Sequence, residues 1–322
     1  MQQFFNSHRS VFRLSQKLIA SIFIACLASN SASASTALKQ AEIYKIRNRV
    51  DINYGEQPGW DKAELGDVIE PRDSVRTGAN SRADILFDEG TLVRTGAGTT
   101  FRFPQGKRSF ELTSGAALII IRPEQGQSTV NTPEAKIVSQ GTALFVQHDP
   151  QSSSSLIGVL TNSPAGLVKV SSADGDVTLQ LQAGEFITVV RGIVGLVQHF
   201  VLPMFYETVE LSAGLGSKPE DIEAIIARES PEVQATLRAV QAEAIEPLKN
   251  QTAWLQGLCK LNVGTENLSP LLQLFGIGIS DIRVRFEIPE NNLSIVPFRS
   301  LSGIAWLGQH CREAQNLPEL EN

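Results

Sequence analysis

The sequence is poor in the side chains that build metal centres and disulfide frameworks. It contains 3 Cys and 4 His among 322 residues. Three cysteines are too few for a disulfide-built scaffold or for a zinc site made of cysteines alone. Neither H-E-x-x-H nor C-x-x-C occurs. We therefore predict no metal site and no cofactor.

Positive charge is also scarce. The formal net charge is -6, and three of the 28 Lys/Arg precede residue 35, where no Asp or Glu occurs, so the rest of the chain is more acidic still. Nucleic-acid binding needs concentrated Lys/Arg to neutralise phosphates, and this composition argues against it. The G-x-S-x-G elbow and the full G-x-G-x-x-G loop are missing too. We expect a protein that is not an enzyme, with an enzyme in the C-terminal region as an alternative.

Long apolar runs are few. The first, LIASIFIACLA at 18–28, has about half the ~20 residues that span a bilayer. Arg9, Arg13 and Lys17 precede it, and a small-residue site ending at Ala34 follows. This order is typical of a secretory signal peptide. We predict cleavage after Ala34, a periplasmic or extracellular location, and no integral membrane span after cleavage. An uncleaved anchor and a lipoprotein signal acylated at Cys26 are the alternatives.

Cleavage would leave two cysteines, Cys259 and Cys311. An even pair in an oxidising compartment predicts a disulfide. Two separate buried thiols are the alternative.

The length fits about two domains. The residue pattern changes near residue 200, from strand-like to helical. From 35 to 200, short alternating runs are separated by turn signals such as Ser114-Gly115 and Asp174-Gly175, which is typical of β-strands. The continuous run AALIII at 116–121 predicts a strand covered on both faces. In the apolar stretch 186–205, Arg191-Gly192 predicts a turn between two strands, and a membrane-spanning helix is the alternative.

Four motifs of the β-rich part occur in a characteristic order. They are VRTGANSRA leading into LFDEGT at 75–91, VNTPEA at 130–135, GTALFV at 141–146 and LQAGE at 181–185. Together they resemble the FecR domain, an all-β module of the bacterial envelope, over roughly residues 60–190. The resemblance implies a mainly β N-terminal domain with solenoid- or sandwich-like strands.

In the best-known FecR-family members, this domain follows a cytoplasmic anti-sigma segment and a membrane helix, and it relays a signal from a siderophore receptor to a sigma factor. Here only 17 residues precede the apolar run, which is too few for a cytoplasmic domain. We therefore expect the module and its compartment to be shared, without an anti-sigma segment of its own.

From 205 to 322 we predict an α-rich, mixed region of unknown family. A capping box at Ser217 opens one helix, and Ser230-Pro231 opens a second. Pro247 is expected to interrupt the second helix. A third helix around Trp254 and a strand, IRVRFEI at 282–288, are expected to follow.

A local excess of cations lies between Arg72 and Arg122, with eight Lys/Arg against five Asp/Glu. The segment RFPQGKR at 102–108 concentrates it, so Arg102, Lys107 and Arg108 are candidates for an anionic-ligand patch. Ordinary solvated strand faces are the alternative.

The sequence thus predicts a non-catalytic binding or scaffolding module of the cell envelope, with an envelope protein or an anionic cell-wall glycan as partner. An external sensor component of an iron-uptake or cell-surface signalling relay is the alternative.

Overall fold

The structure is a computed structural model that describes residues 37–55, 57–175, 177–216 and 219–260. Eighteen strands are followed by three α-helices. The strands are β1 Ala41–Arg47, β2 Val50–Asn53, β3 Asp61–Lys62, β4 Val68–Ile69, β5 Ser74–Thr77, β6 Arg82–Phe87, β7 Leu92–Thr95, β8 Thr100–Arg102, β9 Ser109–Ile121, β10 Gln127–Asn131, β11 Ala135–Gln140, β12 Thr142–Asp149, β13 Ser154–Val159, β14 Val168–Ser172, β15 Thr178–Leu181, β16 Glu185–Val190, β17 Ile193–Val194 and β18 Gln198–His199. The helices are α1 Leu202–Thr208, α2 Pro219–Ile226 and α3 Pro231–Lys260. Short 3-10 turns cover Pro123–Gln125 and Glu210–Ser212.

The strands form one continuous hydrogen-bonded set that consists of two groups joined through β9. The group that we call the covered sheet runs β4-β1-β6-β7-β9-β12-β13-β16, with β17 and β18 on the far side of β16. The group that we call the outer sheet runs β3-β2-β5-β8-β9-β10-β11-β14-β15. The described pairings are antiparallel except β9 with β10, which is parallel.

A glycine allows β9 to belong to both groups. The first half of β9 pairs with β8, and the half that begins at Gly115 pairs with β12. Gly115 has a φ of +78°, and a Cβ there would lie 2.5 Å from the Cα of Thr99. Only glycine fits this backbone and this contact, so the predicted Ser114-Gly115 turn signal marks a change of sheet within one strand.

Two hydrophobic clusters lie on opposite sides of the covered sheet. The first collects alternate side chains from both groups, such as Ile119 and Ile157 of the covered sheet with Val130 and Ile137 of the outer sheet. The second joins the other face of the covered sheet to the helices. In β9, Ile119 belongs to the first cluster and Ile120 to the second, which confirms the predicted strand covered on both faces.

Helix α3 lies on the covered sheet through one apolar face. Val233, Leu237, Val240 and Ala244 are all fully buried, as helical spacing predicted. The interruption predicted at Pro247 is wrong, because α3 continues through it to Lys260 and includes the predicted third helix. Proline costs about 3 kcal/mol inside a helix, and burial of Leu248 and Leu255 beyond it offsets that cost.

The mainly β part followed by a helical C-terminal region is confirmed, while a solenoid- or sandwich-like arrangement stays a prediction. The predicted turn at Arg191-Gly192 connects β16 to β17. The signal peptide, the capping box at Ser217 and Lys218, the strand at 282–288 and Cys311 lie outside the described residues. Among the helices that the structure describes, none is long and apolar enough to cross a membrane.

Candidate ligand-binding face

The solvent side of the outer sheet carries a continuous polar row, one residue from each of eight neighbouring strands. Strand register places each member directly beside the next. In order of position across the sheet, the row consists of Asn53, Ser74, Arg102, Glu111, Asn131, Lys136, Ser171 and Thr178. Ser171 is buried, and the other members are half-buried or exposed. Since neighbouring strands lie about 4.8 Å apart, the row is about 34 Å long. We call this side of the outer sheet the outer face.

Alternation along each strand produces the outer face. On β11, Ile137 points into the first cluster, so Lys136 and Val138 point to solvent. On β14, Val168 and Val170 are buried, while Lys169 is exposed. The same two-residue period repeats from β2 to β15. Most large apolar side chains of these strands therefore point into the first cluster and not to the outer face.

The outer face is basic, although the chain as a whole is acidic. Arg49, at the start of β2, joins Arg76, Arg102, Lys136 and Lys169. Two carboxylates, those of Asp51 and Glu111, lie among these five cations. A cationic surface in a chain with a net charge of -6 favours an anionic partner at this location.

Asp51 organises one end of the outer face. Its carboxylate accepts hydrogen bonds from Nε of Arg49 at 3.1 Å and from Nε of Arg76 at 3.0 Å. Burial opposes ionisation, but these two bonds hold the pKa of Asp51 below its usual value. The Arg76 guanidinium lies 4.3 Å from the ring centre of Trp60, a cation–π contact. The carboxylate and the ring together fix Arg76 on the face.

The structure separates the three cations that the sequence grouped together. Arg102 lies on the outer face, 2.5 Å from Glu111, and Lys107 is exposed in the loop between β8 and β9. The Arg108 side chain is only 1% exposed and donates to Ser128 and Thr91, with Glu89 at 3.2 Å. Arg108 therefore contributes to the interior, and the predicted patch keeps only Arg102 and Lys107 at the surface.

Sequence reasoning counted Arg76 in the local excess between Arg72 and Arg122 but not in the candidate patch, and it missed Arg49, Lys136 and Lys169. These three lie outside that segment, so a search for local charge excess does not group them with Arg76 and Arg102. The alternation around Lys136 and Lys169 did contain the signal, because each is flanked by valine, isoleucine or alanine in a strand-like run.

A second polar cluster, inside the β-rich part, links β12 and β13 to the connection between β10 and β11. His148 Nδ1 lies 3.0 Å from Ser155 Oγ, which lies 2.7 Å from Thr132 Oγ1. Burial lowers the pKa of His148, although the charges of Glu134 and Asp149 oppose the shift. Ser155 and His148 are 0% and 3% exposed, so the serine hydroxyl has no surface at which to meet a substrate.

Charged contacts tie the helical segment to the covered sheet. Fully buried Arg94 donates to the carbonyls of Leu211 and Ala213, and its Nε lies 3.6 Å from Oδ2 of Asp84. Nearer the start of α3, Lys45 lies 2.6 Å from both oxygens of Glu229. These contacts leave the outer face uncovered, because they all lie on the opposite side of the β-rich part.

Two sequence predictions concern metal binding and a disulfide bond. Residues 37–260, apart from positions 56, 176, 217 and 218, contain no group of three His, Cys, Asp or Glu able to hold a metal ion. Cys259 is buried near the end of α3, and its predicted partner Cys311 lies outside the described part of the chain. The Cys259–Cys311 bond stays a prediction.

Comparison with known proteins supports the resemblance. Residues 73–165 match the family model described as FecR protein. The matched part amounts to less than a third of the sequence. A search of curated proteins found no match.

Two crystal structures of a candidate anti-sigma factor from Parabacteroides distasonis ATCC 8503 are similar to part of the chain. Sequence identities are 21% and 20%, each with a TM-score of 0.34. The similarity covers 39% of this chain and 59% of that one. The chain thus spans less than two thirds of the length of that protein.

Proposed function

We propose that this protein is a non-catalytic binding module of the cell envelope whose outer face binds an anionic cell-wall glycan. The observation that carries the proposal is the polar row across eight strands, set among five cations and two carboxylates. Its length of about 34 Å suits a polymer better than a small metabolite. The FecR match at 73–165 supports an envelope role.

The chemistry of the outer face fits carboxylate groups spaced along a polymer. Arginine forks bind carboxylates through paired hydrogen bonds, and lysines add point charges. Arg76 and Arg102 are held by Asp51 and Glu111, while Lys136 and Lys169 are exposed further along the sheet. Peptidoglycan carries such carboxylates, and a secreted protein with the predicted signal peptide would meet it.

Co-sedimentation with purified peptidoglycan sacculi tests this proposal. The mature chain should sediment with sacculi at low salt, and the double variant Lys136→Glu/Lys169→Glu should lose most of that binding. Lys249→Glu, an equally exposed lysine on α3, is the matched control and should bind as the unchanged protein does. Lys107→Glu changes an exposed lysine in the loop between β8 and β9, so it shows whether binding depends on that loop or on the outer face. Equal binding by all four proteins would contradict the assignment of the face.

A second candidate function, favoured by the FecR match, is that of an external component in a cell-surface signalling relay. Deletion of the gene should then change expression from an iron-responsive sigma-factor reporter. A copy exported by a foreign secretory leader should restore it, because the proposed role lies outside the cytoplasm. Unchanged reporter expression after deletion would exclude the relay and leave the glycan proposal intact.

A further inference from the structure

The open edges of the two sheets differ in length. At three ends, the outermost described strands have only two residues each: β3, β4, and the pair β17 and β18. Very short edge strands are a common protection against unwanted strand pairing. The fourth edge is β15, Thr178–Leu181, which has four residues in regular register with β14.

Within the described residues, three usual protections of an edge strand are missing at β15, namely charge, proline and a bulge. Residues 177–182 contain no charged residue and no proline, and the β14–β15 register has no bulge. Thr178 and Gln180 are exposed, whereas Leu179 and Leu181 pack against the first cluster. Val177, just before the strand, is 49% exposed. The result is a flat, uncharged edge with an apolar rim in a chain that is 19% charged.

The backbone of an edge strand specifies the kind of molecule that can bind there. Alternate residues of β15 direct N–H and C=O groups away from β14. Another extended peptide supplies the matching donors and acceptors, and pairing of this kind is a recurring mode of protein recognition. The occupant of this edge is thus a polypeptide strand.

We propose that the occupant is β15 of a second copy of this chain, paired antiparallel about a two-fold axis at Leu179. In this register Leu179 meets its own copy, Thr178 meets Gln180, and Val177 meets Leu181. Apolar side chains oppose apolar ones and polar oppose polar, which stabilises cross-strand pairs. An isologous two-fold contact also closes, so it gives a dimer and not a fibre.

The charged residues near β15 are compatible with the proposed β15–β15 pairing. Like charges directly opposite one another destabilise a strand pair. Beyond the strand ends, Asp174 would lie opposite Gly184, and Glu185 opposite Ala173, so no two acids meet in spite of the negative net charge. The two outer faces would join into one basic surface, because the polar row ends at Thr178 on the shared edge.

Sedimentation velocity over a series of concentrations of the mature chain tests the dimer. The unchanged protein should show a reversible shift from one chain mass to two. Thr178→Lys/Gln180→Lys places lysines opposite lysines and should weaken association at least 100-fold. Thr113→Lys/Gln105→Lys adds the same charge at exposed positions away from the edge and should dimerise normally.

Charge exchange gives a second readout. Thr178→Glu/Gln180→Glu should also be monomeric alone, whereas an equimolar mixture of the lysine and glutamate proteins should form a heterodimer. Unfolding midpoints close to that of the unchanged protein would show that each variant is folded. A monomeric wild type at every concentration would overturn the proposal, and so would edge variants that still dimerise. The measurement contains no ligand, so its outcome is independent of glycan binding.

Discussion

Arg94 is a fully buried cation whose partners come from two distant segments of the chain. Asp84 lies beside it within the covered sheet, and the carbonyls of Leu211 and Ala213 accept its hydrogen bonds. Burial lowers the pKa of Arg94, with the charge of Asp84 opposing the shift. The charge is tolerated inside the protein because it is paired and hydrogen-bonded.

Asp84→Asn should therefore be strongly destabilising. The substitution keeps the shape of the side chain but leaves Arg94 without its counter-charge, and breaking a buried pair costs about 3–5 kcal/mol. Urea unfolding of the two proteins measures the difference. Glu111→Gln is the matched control, since its partner Arg102 is partly exposed and such pairs contribute about 1 kcal/mol or less. Equal losses for both variants would contradict this account.

His148 should make the β-rich part sensitive to acid. Its pKa is lowered from 6.5 in the folded protein by burial, so the folded state binds fewer protons than the unfolded state. The contribution of His148 to the free energy of unfolding should therefore fall as pH drops below about 6.5. His148→Gln should flatten that slope between pH 7 and 5, measured by urea unfolding at each pH. An unchanged slope would show that other groups cause any acid sensitivity.

Residue-level prediction from sequence succeeded where the environment is set by neighbours in the same strand. The continuous apolar run at 116–121 correctly predicted that Ile119 and Ile120 lie on two covered faces. Charge counting failed for Arg108, because the residues that bury this side chain, Glu89 and Ser128, are about twenty positions away in either direction. Charge counting along the chain does not detect partners that strand pairing supplies.

At the scale of secondary-structure elements, α3 and the covered sheet share the second hydrophobic cluster. Leu237→Ala removes a fully buried side chain from that cluster and should cost about 2–5 kcal/mol. Ile245→Ala on the same helix is the control, because Ile245 is 59% exposed and should change stability by less than about 0.5 kcal/mol. Calorimetry should show one transition that shifts as a whole. A separate transition for the helices would contradict this shared packing.

Glu243 gives α3 a pH dependence opposite in sign to that of His148. Burial raises its pKa to about 7; the Thr161 hydroxyl, 3.4 Å away, opposes the shift, and the charge of Glu124 adds to it. The folded state binds the proton more tightly, so the contribution of Glu243 to the free energy of unfolding should rise as pH falls from 8 towards 4.5. Glu243→Gln should stabilise the protein at pH 8 by about 1–2 kcal/mol, allowing for solvent screening. Denaturant titrations at pH 8 and pH 5 should show that gain only at pH 8, and a similar change at both would be evidence against the buried charge.

Element-level prediction was good for strand and helix identity and weaker for their ends. The period of 3.6 residues identified the buried face of α3, but the local rule for proline placed a break at Pro247. Packing on both sides of Pro247 outweighs the cost of the lost hydrogen bond, and no local rule contains that packing. The FecR motifs identified the β-rich part, whereas the pairing of β9 with both sheets depends on contacts such as Gly115 with Thr99.

At the scale of the whole molecule, the two sides of the β-rich part have different roles. One face of the covered sheet packs against the helices, and the outer face presents cations to solvent. Electrostatic binding by these cations should weaken as salt rises, because mobile ions screen exposed charges within about 8–10 Å at 0.1–0.15 M. The outer face itself could be assembled only after strand order was known, since its cations come from five separate parts of the chain.

Lysine-acetylation footprinting, read by mass spectrometry, tests the central claim most directly. The mature chain is labelled alone and with soluble fragments released from peptidoglycan sacculi, at low salt. Our account predicts that acetylation of Lys136 and Lys169 slows several-fold on adding the fragments, while Lys249 on α3 reacts at its original rate. Unchanged rates at Lys136 and Lys169 in the presence of bound fragments, or protection centred on Lys249, would contradict the assignment of the outer face as the binding surface.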